Sequence, residues 1–251
     1  MAHASAKPLP RVSRIRTAFT TVRDRLGPRL ALGLLAALIV LVLFGVLAEE
    51  VREGELQPVD DAIRTAVHGV ASPVTTAVLH AATQLGSPFF LIPMTMVASL
   101  VFLHLRRIRG AILLTATMAG VSLLNWVLKL FFQRARPAAF FGLSTPTSYS
   151  FPSGHSLASF CFYGALAALV TARLRSPVLR AVVWAAAVLI IIAVGFSRVY
   201  LGVHYASDVI AGYATGFVWV LTVVSADRVF RGADERGSKA AVAEPPAGGP
   251  S

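Results

Sequence analysis

The sequence predicts an all-α polytopic membrane protein, a six-transmembrane-helix bundle with short amphipathic helices on its extracytoplasmic face. Three observations predict it. Hydrophobic residues fill 56% of the 251 positions and charged residues only 14%, at a mean hydropathy of +0.70, more apolar surface than a water-soluble domain of this size needs. Six segments hold the roughly 20 predominantly apolar residues that a helix requires to cross a bilayer. The cations gather in four clusters that six crossings place on one side.

Taken in order, residues 1–29 form a basic arm with Lys7, Arg11, Arg14, Arg16, Arg23, Arg25 and Arg29. The first span is expected over 30–48. An Arg-rich approach to an apolar run is also how a secretory leader begins, and Val46-Leu47-Ala48 offers a weak cleavage site. The run is long, however, and ends at Glu49-Glu50, so it is read as a retained helix. Between 55 and 87, Val59, Ile63, Val67 and Val70 recur at helical spacing with polar residues between them, which predicts one or two amphipathic helices. Pro73 and the Gly86-Ser87-Pro88 turn bound them. Further spans are expected near 88–105, 110–131, 156–173, 181–197 and 208–226, completing a membrane domain over 30–226. The tail, 227–251, ends in Pro245-Pro246 and Gly248-Gly249-Pro250 and is expected to be disordered.

The other three basic clusters are Arg106, Arg107 and Arg109; Arg173, Arg175 and Arg180; and Arg228, Arg231, Arg236 and Lys239. The positive-inside bias makes their side, and both termini, cytoplasmic. The acidic stretch Glu49, Glu50, Glu53, Glu55, Asp60 and Asp61 then lies outside. Topology and attraction to anionic lipid account for the net charge of +11; no nucleic-acid motif accompanies it, so no nucleic-acid partner is expected. The single cysteine, Cys161, has no partner for an intramolecular disulfide.

Three short blocks carry the chemistry: Lys129 with Arg136-Pro137, Pro152-Ser153-Gly154-His155, and Ser197-Arg198 followed by His204 and Asp208. Each falls at the outer end of a span. Ionisable groups at membrane depth cost about 2.5–3.5 kcal/mol each on insertion scales, so they mark function unless they snorkel to the interface. Taken singly, Lys129 or Arg198 could be a snorkelling residue; together the blocks supply an inventory for holding and attacking a phosphate. Ser153 is a favoured N-cap, and the amides of Ser153, Gly154 and His155 at a helix start would face an anion. His204 and Asp208, spaced i, i+4, would share a helix face, the carboxylate fixing the imidazole tautomer as a nucleophile requires. A satisfied His–Asp pair in a bundle would have the same spacing.

Other polar residues take plainer readings. His68, His80 and His104 lack a spaced partner for a metal site. Arg134 lies beside the first block but outside its pattern, attracting anions or facing water. Ser122 and Asn125 are read as interhelical hydrogen-bonding groups.

In this order and spacing, Lys-x6-Arg-Pro, Pro-Ser-Gly-His and Ser-Arg-x5-His-x3-Asp resemble the type 2 phosphatidic acid phosphatase superfamily, which also contains the vanadium haloperoxidases. The resemblance covers about residues 55–226. It implies a phosphohydrolase with neither metal nor cofactor, in which His204 attacks phosphorus to give a phosphohistidine, Asp208 orients it and His155 is the general acid. Lys129, Arg136, Ser153, Gly154 and Arg198 would bind the phosphoryl oxygens. The expected substrate is a membrane lipid phosphate in the outer leaflet of a bacterial cell membrane, with undecaprenyl diphosphate first, phosphatidic acid second, and phosphatidylglycerophosphate also eligible. A vanadate-dependent haloperoxidase, or a membrane protein that only binds or transports an anion, would use the same pocket differently. Oligomeric state is not legible in the sequence.

Overall fold

The structure, a computed structural model, describes the backbone of residues 10–144 and 146–243 and the side chains of residues 31–144 and 146–228. Expectations for the rest of the basic arm and for the last residues of the tail lie outside them. Among the described residues there are eight helices and no strand: α1 (Pro10–Glu53), α2 (Gln57–Gly69), α3 (Pro73–Gln84), α4 (Pro88–His104), α5 (Ile108–Phe132), α6 (Gly154–Thr171), α7 (Pro177–Tyr200) and α8 (Ala206–Ala243). The chain divides at Ile39/Val40. The first unit is helical from Pro10; the second holds α2 to α8 and the site.

Among the described residues five helices are long and apolar enough to cross a membrane: Ala31–Glu53 of α1, α5, α6, α7 and Ala206–Arg228 of α8. The expected span at 88–105 is present as α4, but its 17 residues meet the criterion only together with α3, from which it bends by 48°. The count is therefore five, or six with the bent pair taken as one span. Large apolar side chains such as Phe89, Phe131 and Leu189 stand exposed on these helices, as they do where lipid is the solvent.

Serine hydroxyls set four of the helix starts. Ser72 and Thr75 form a reciprocal capping box at α3, while Ser87, Ser153 and Ser176 cap α4, α6 and α7, each cap contributing about 1 kcal/mol. The amphipathic stretch resolves into two helices, α2 and α3, because Pro73 restarts the chain after the Ala71-Ser72 break. At the other end, α8 continues to Ala243 instead of stopping near 226, since no proline interrupts the chain before Pro245.

α6 is the central element, packed against α5, α7 and α8, with Leu157, Cys161 and Phe162 fully buried. Its start is seated by a glycine on α8. A Cβ at Gly212 would fall 2.7 Å from the carbonyl oxygen of Ser153 and 3.0 Å from Cβ of Ser156. Any larger residue would push α8 from α6 where both carry site residues.

Candidate active site

All three blocks meet at one end of the bundle. Lys129 stands in the last turn of α5, His155 in the first turn of α6 and Arg198 in the last turn of α7. His204 lies in the buried turn between α7 and α8. Together with Arg136 and Gly154 these residues line the head of a cavity of about 510 Å³. Below them it becomes an apolar groove walled by Leu91, Ile92 and Met96 of α4, Met118 of α5 and Ala158 of α6.

His204 is 1% exposed, and both ring nitrogens are engaged. Arg136 Nη1 lies 2.9 Å from Nε2, and Asp208 Oδ2 lies 3.2 Å from Nδ1. A guanidinium only donates and a carboxylate only accepts. The proton therefore sits on Nδ1, and Nε2 keeps its lone pair on the side of the cations. Burial lowers the imidazole from its ordinary 6.5 to about 3, against the hydrogen bond and charge of Asp208, while Arg136 and Arg198 add to the lowering. The ring is neutral at physiological pH, the state in which a histidine can act as a nucleophile.

The pairing differs from expectation in one respect. His204 precedes α8, which begins at Ala206, so the pair closes across a helix start and not along one helix face. The chain leaves α7 through Gly202, at φ 74, where a Cβ would strike Phe140 at 2.7 Å. Asp208 folds back to accept from the Tyr205 amide at 2.9 Å and from the Ser150 hydroxyl, and so is fixed in place.

The three cations are held without counter-ions. Lys129 Nζ donates to the carbonyl of Tyr149 and, at 3.4 Å, to that of Ser150. Arg136 donates to the Ser148 carbonyl at 2.6 Å, the Val203 carbonyl at 2.8 Å and the Ser148 hydroxyl at 3.0 Å. Arg198, 8% exposed, donates to Thr83 Oγ1 at 2.6 Å, and its Nε is buried with no partner. Among the described residues none of the three pairs with a carboxylate. Buried charge left unpaired is costly, and an anion brought to the cluster would offset that cost.

His155 faces this cluster with no hydrogen bond on its ring from the described residues, free to exchange a proton with a bound molecule. Gly154 and His155 open α6, so their amides have no intrahelical acceptor. Ser153 departs from the expected cradle. Its own N–H donates to the Asp208 carbonyl at 2.9 Å and its hydroxyl caps the helix at Ser156; it positions the helix start without offering its amide. Gly154 has a packing role too, since a Cβ there would lie 3.1 Å from the Asn125 amide.

Several residues have roles unlike those read from sequence. Among the described residues Ser122 bonds only its own helix, to the Met118 carbonyl at 3.4 Å, Asn125 Oδ1 is buried without a partner, and neither bridges to a neighbouring helix; both line the groove. Arg134 does not face water. Its side chain is 9% exposed and pairs with both Asp208 and Asp60. His68 stacks on Phe140 at 3.9 Å, steadying the loop that carries Arg136. Ser150, Thr83 and Asp60 carry no signal in the sequence, whereas Arg134 had one in its closeness to Arg136.

Residues 110–230 match the profile of the PAP2 superfamily, a stretch containing all three blocks. Phosphatidylglycerophosphatase B of Bacillus subtilis (strain 168) is 33% identical over 187 residues, 73% of this chain and 91% of that protein. An undecaprenyl-diphosphatase of Sulfolobus acidocaldarius is 33% identical over 139 residues, 53% of this chain and 62% of that protein. Among solved structures, that of the transmembrane PAP2 type phosphatidylglycerolphosphate phosphatase from Bacillus subtilis superposes with a TM-score of 0.68 at 32% identity, covering 80% of this chain and 96% of that one. Alike in its three blocks, in its sequence along almost the whole of one relative and in its fold, this chain belongs to the PAP2 superfamily.

Proposed function

We propose that this membrane phosphatase removes the terminal phosphate of a lipid phosphate or diphosphate in the extracytoplasmic leaflet, through a phosphohistidine on His204 and without a metal. Three uncompensated cations around a neutral Nε2 carry the assignment. Phosphoryl transfer asks chiefly for in-line positioning and charge stabilisation.

In the first step Nε2 attacks phosphorus opposite the leaving oxygen. The N–P bond forms as the P–O bond breaks, and His155 gives its proton to the departing lipid oxygen. Lys129, Arg136 and Arg198, with the Gly154 and His155 amides, take the equatorial oxygens. Arg136 exchanges Nε2 for one of them, while Asp208 holds the Nδ1–H of the ring that has become cationic. In the second step water attacks opposite Nε2, the N–P bond breaks and His155 takes the proton of the water. Phosphate leaves and His204 is neutral again.

The groove beneath the site gives an acyl or isoprenoid chain a place beside its headgroup. A haloperoxidase would have no use for that groove, and a carrier would have none for a nucleophile of fixed tautomer. The relative matched over 91% of its length is named for phosphatidylglycerophosphate, which moves that lipid ahead of undecaprenyl diphosphate and phosphatidic acid. Phosphate release from these three lipids by the detergent-purified protein ranks them. Rapid acid-free quenching should trap labelled phosphate on the wild type and none on His204→Ala; label retained by the variant would move the nucleophile elsewhere.

A further inference from the structure

Behind the catalytic pair lies a second charge cluster that the two-step mechanism does not use. The Arg134 guanidinium bridges two carboxylates from distant parts of the chain. Nη1 donates to Asp208 Oδ1 and to the Ser207 hydroxyl at 2.8 and 2.7 Å. Nη2 donates to Asp60 Oδ2 at 2.8 Å and to Gln57 Oε1 at 3.2 Å. Its face rests on the Tyr205 ring at 4.1 Å. Asp60 is tied down as well: Oδ1 accepts from the Ser207 amide at 3.0 Å, and Oδ2 from its hydroxyl. The side chains of Arg134, Asp60 and Asp208 are 9%, 3% and 0% exposed, so solvent screens them little.

The stoichiometry of charge is the informative part. An arginine paired with Asp208 alone would cancel the carboxylate and leave nothing to balance the positive charge that appears on the His204 ring when Nε2 bonds to phosphorus. Sharing the guanidinium with Asp60 leaves the trio one net negative charge. We propose that Arg134 and Asp60 are positioning residues for the reaction: Arg134 fixes the Asp208 carboxylate against Nδ1 of His204, and Asp60 restores the negative charge that Arg134 would otherwise cancel. The role rests on His204 being the nucleophile. It also gives α2 a function, since Gln57 and Asp60 are its contribution to the site.

His204 is faced by Asp208 from α8, Arg198 from α7 and Arg136 from the loop after α5, with Lys129 of α5 and His155 of α6 across the cavity. Arg134 and Asp60 stand behind Asp208 and do not line the cavity, so they can be changed without touching the phosphate pocket. Removing Arg134 leaves two buried carboxylates with no cation between them, and like charges so placed repel.

The test is kcat/KM against pH, between 4 and 8, for the full chain in detergent with dioctanoyl phosphatidic acid as the probe. Arg134→Gln should lose about 100-fold in rate, and its acid limb should move toward neutral pH by about one unit. Arg134→Lys should return the limb to its wild-type position while recovering only part of the rate, since a lysine restores the charge but not the two-armed fork. Asp60→Asn should lose about tenfold with no upward displacement of the limb. If Arg134→Gln fails to fold, Arg134→Lys and Asp60→Asn still decide: full wild-type rates in both overturn the proposal. So does an Arg134→Gln profile that superimposes on the wild type after scaling. Loss of the His204 phosphoenzyme from the wild type would instead overturn the assignment of the nucleophile, and the positioning role with it.

Discussion

The Arg136 guanidinium sits 2.9 Å from Nε2 of His204, on the lone pair that would attack phosphorus. In the free protein this arginine covers Nε2 and, with Asp208 at Nδ1, imposes the tautomer of the ring. A bound phosphoryl group must displace it, and its oxygens are the natural new acceptors.

Arg136→Ala should therefore lose phosphate binding and tautomer control together. A fall in kcat/KM of about 10²–10³-fold is expected, as for removal of one preorganised charge-stabilising donor. Steady-state assays on a soluble short-chain substrate check it. A loss below fivefold would mean that Arg136 does not reach the transferring group.

His155 lies on the cavity side, where a leaving oxygen would sit, and its ring has no hydrogen-bond partner among the described residues. If it protonates that oxygen, the cost of His155→Ala depends on how much the leaving group needs a proton. The variant should lose about 10²–10⁴-fold on a lipid phosphate and far less on p-nitrophenyl phosphate, whose phenolate departs unassisted. Equal losses on both substrates would make His155 a phosphate-binding residue instead.

The spans were legible because the bilayer leaves the chain little choice. The expected 110–131 and 181–197 became Ile108–Phe132 and Pro177–Tyr200; the start of the second moved to where Ser176 caps α7, and its end moved by a final turn. The site residues were legible because three cations and two histidines next to apolar runs have no cheaper explanation. The supports behind them were not. Asp60 meets Arg134 from 74 positions away, and Thr83 meets Arg198 from 115. An acidic residue on an amphipathic helix looks solvated until a distant arginine is found beside it. His204 was expected on a helix because i, i+4 spacing to Asp208 permits one; the spacing does not show that the chain turns at Gly202 first.

Burial holds the folded His204 imidazole at about 3, below its ordinary 6.5. A group lowered by folding contributes stability in full above its unfolded value, and that stability is lost as pH falls toward the folded one, because the unfolded chain binds the extra proton. The thermal midpoint should fall between pH 7 and pH 4. In His204→Gln, which cannot take up that proton, the fall should be shallower. Parallel curves for the two proteins would show that His204 is not buried neutral in the folded state.

With charge supplied by Lys129, Arg136 and Arg198, hydrolysis should continue after exhaustive chelation, and vanadate, which adopts a trigonal-bipyramidal geometry, should inhibit competitively. Activity restored only by added magnesium would remove the mechanism.

Sidedness links topology to substrate. Arg106, Arg107 and Arg109 lie at one end of α5 and Lys129 at the other; Arg173 and Arg175 precede α7, and Arg198 ends it. On the proposed topology, the positive-inside bias would put the arginine turns in the cytoplasm and the active site outside, where only lipids of the outer leaflet could be cleaved. Ser144, in the loop beside the site, and Ala172, after α6, are both exposed, whereas the native Cys161 is fully buried and should stay silent. In intact cells an impermeant thiol reagent should label Ser144→Cys and leave Ala172→Cys unlabelled until the membrane is opened. The reverse pattern would place the site in the cytoplasm. Diphosphates released on the outer face would then be excluded as substrates, leaving phosphatidylglycerophosphate and phosphatidic acid presented from the inner leaflet.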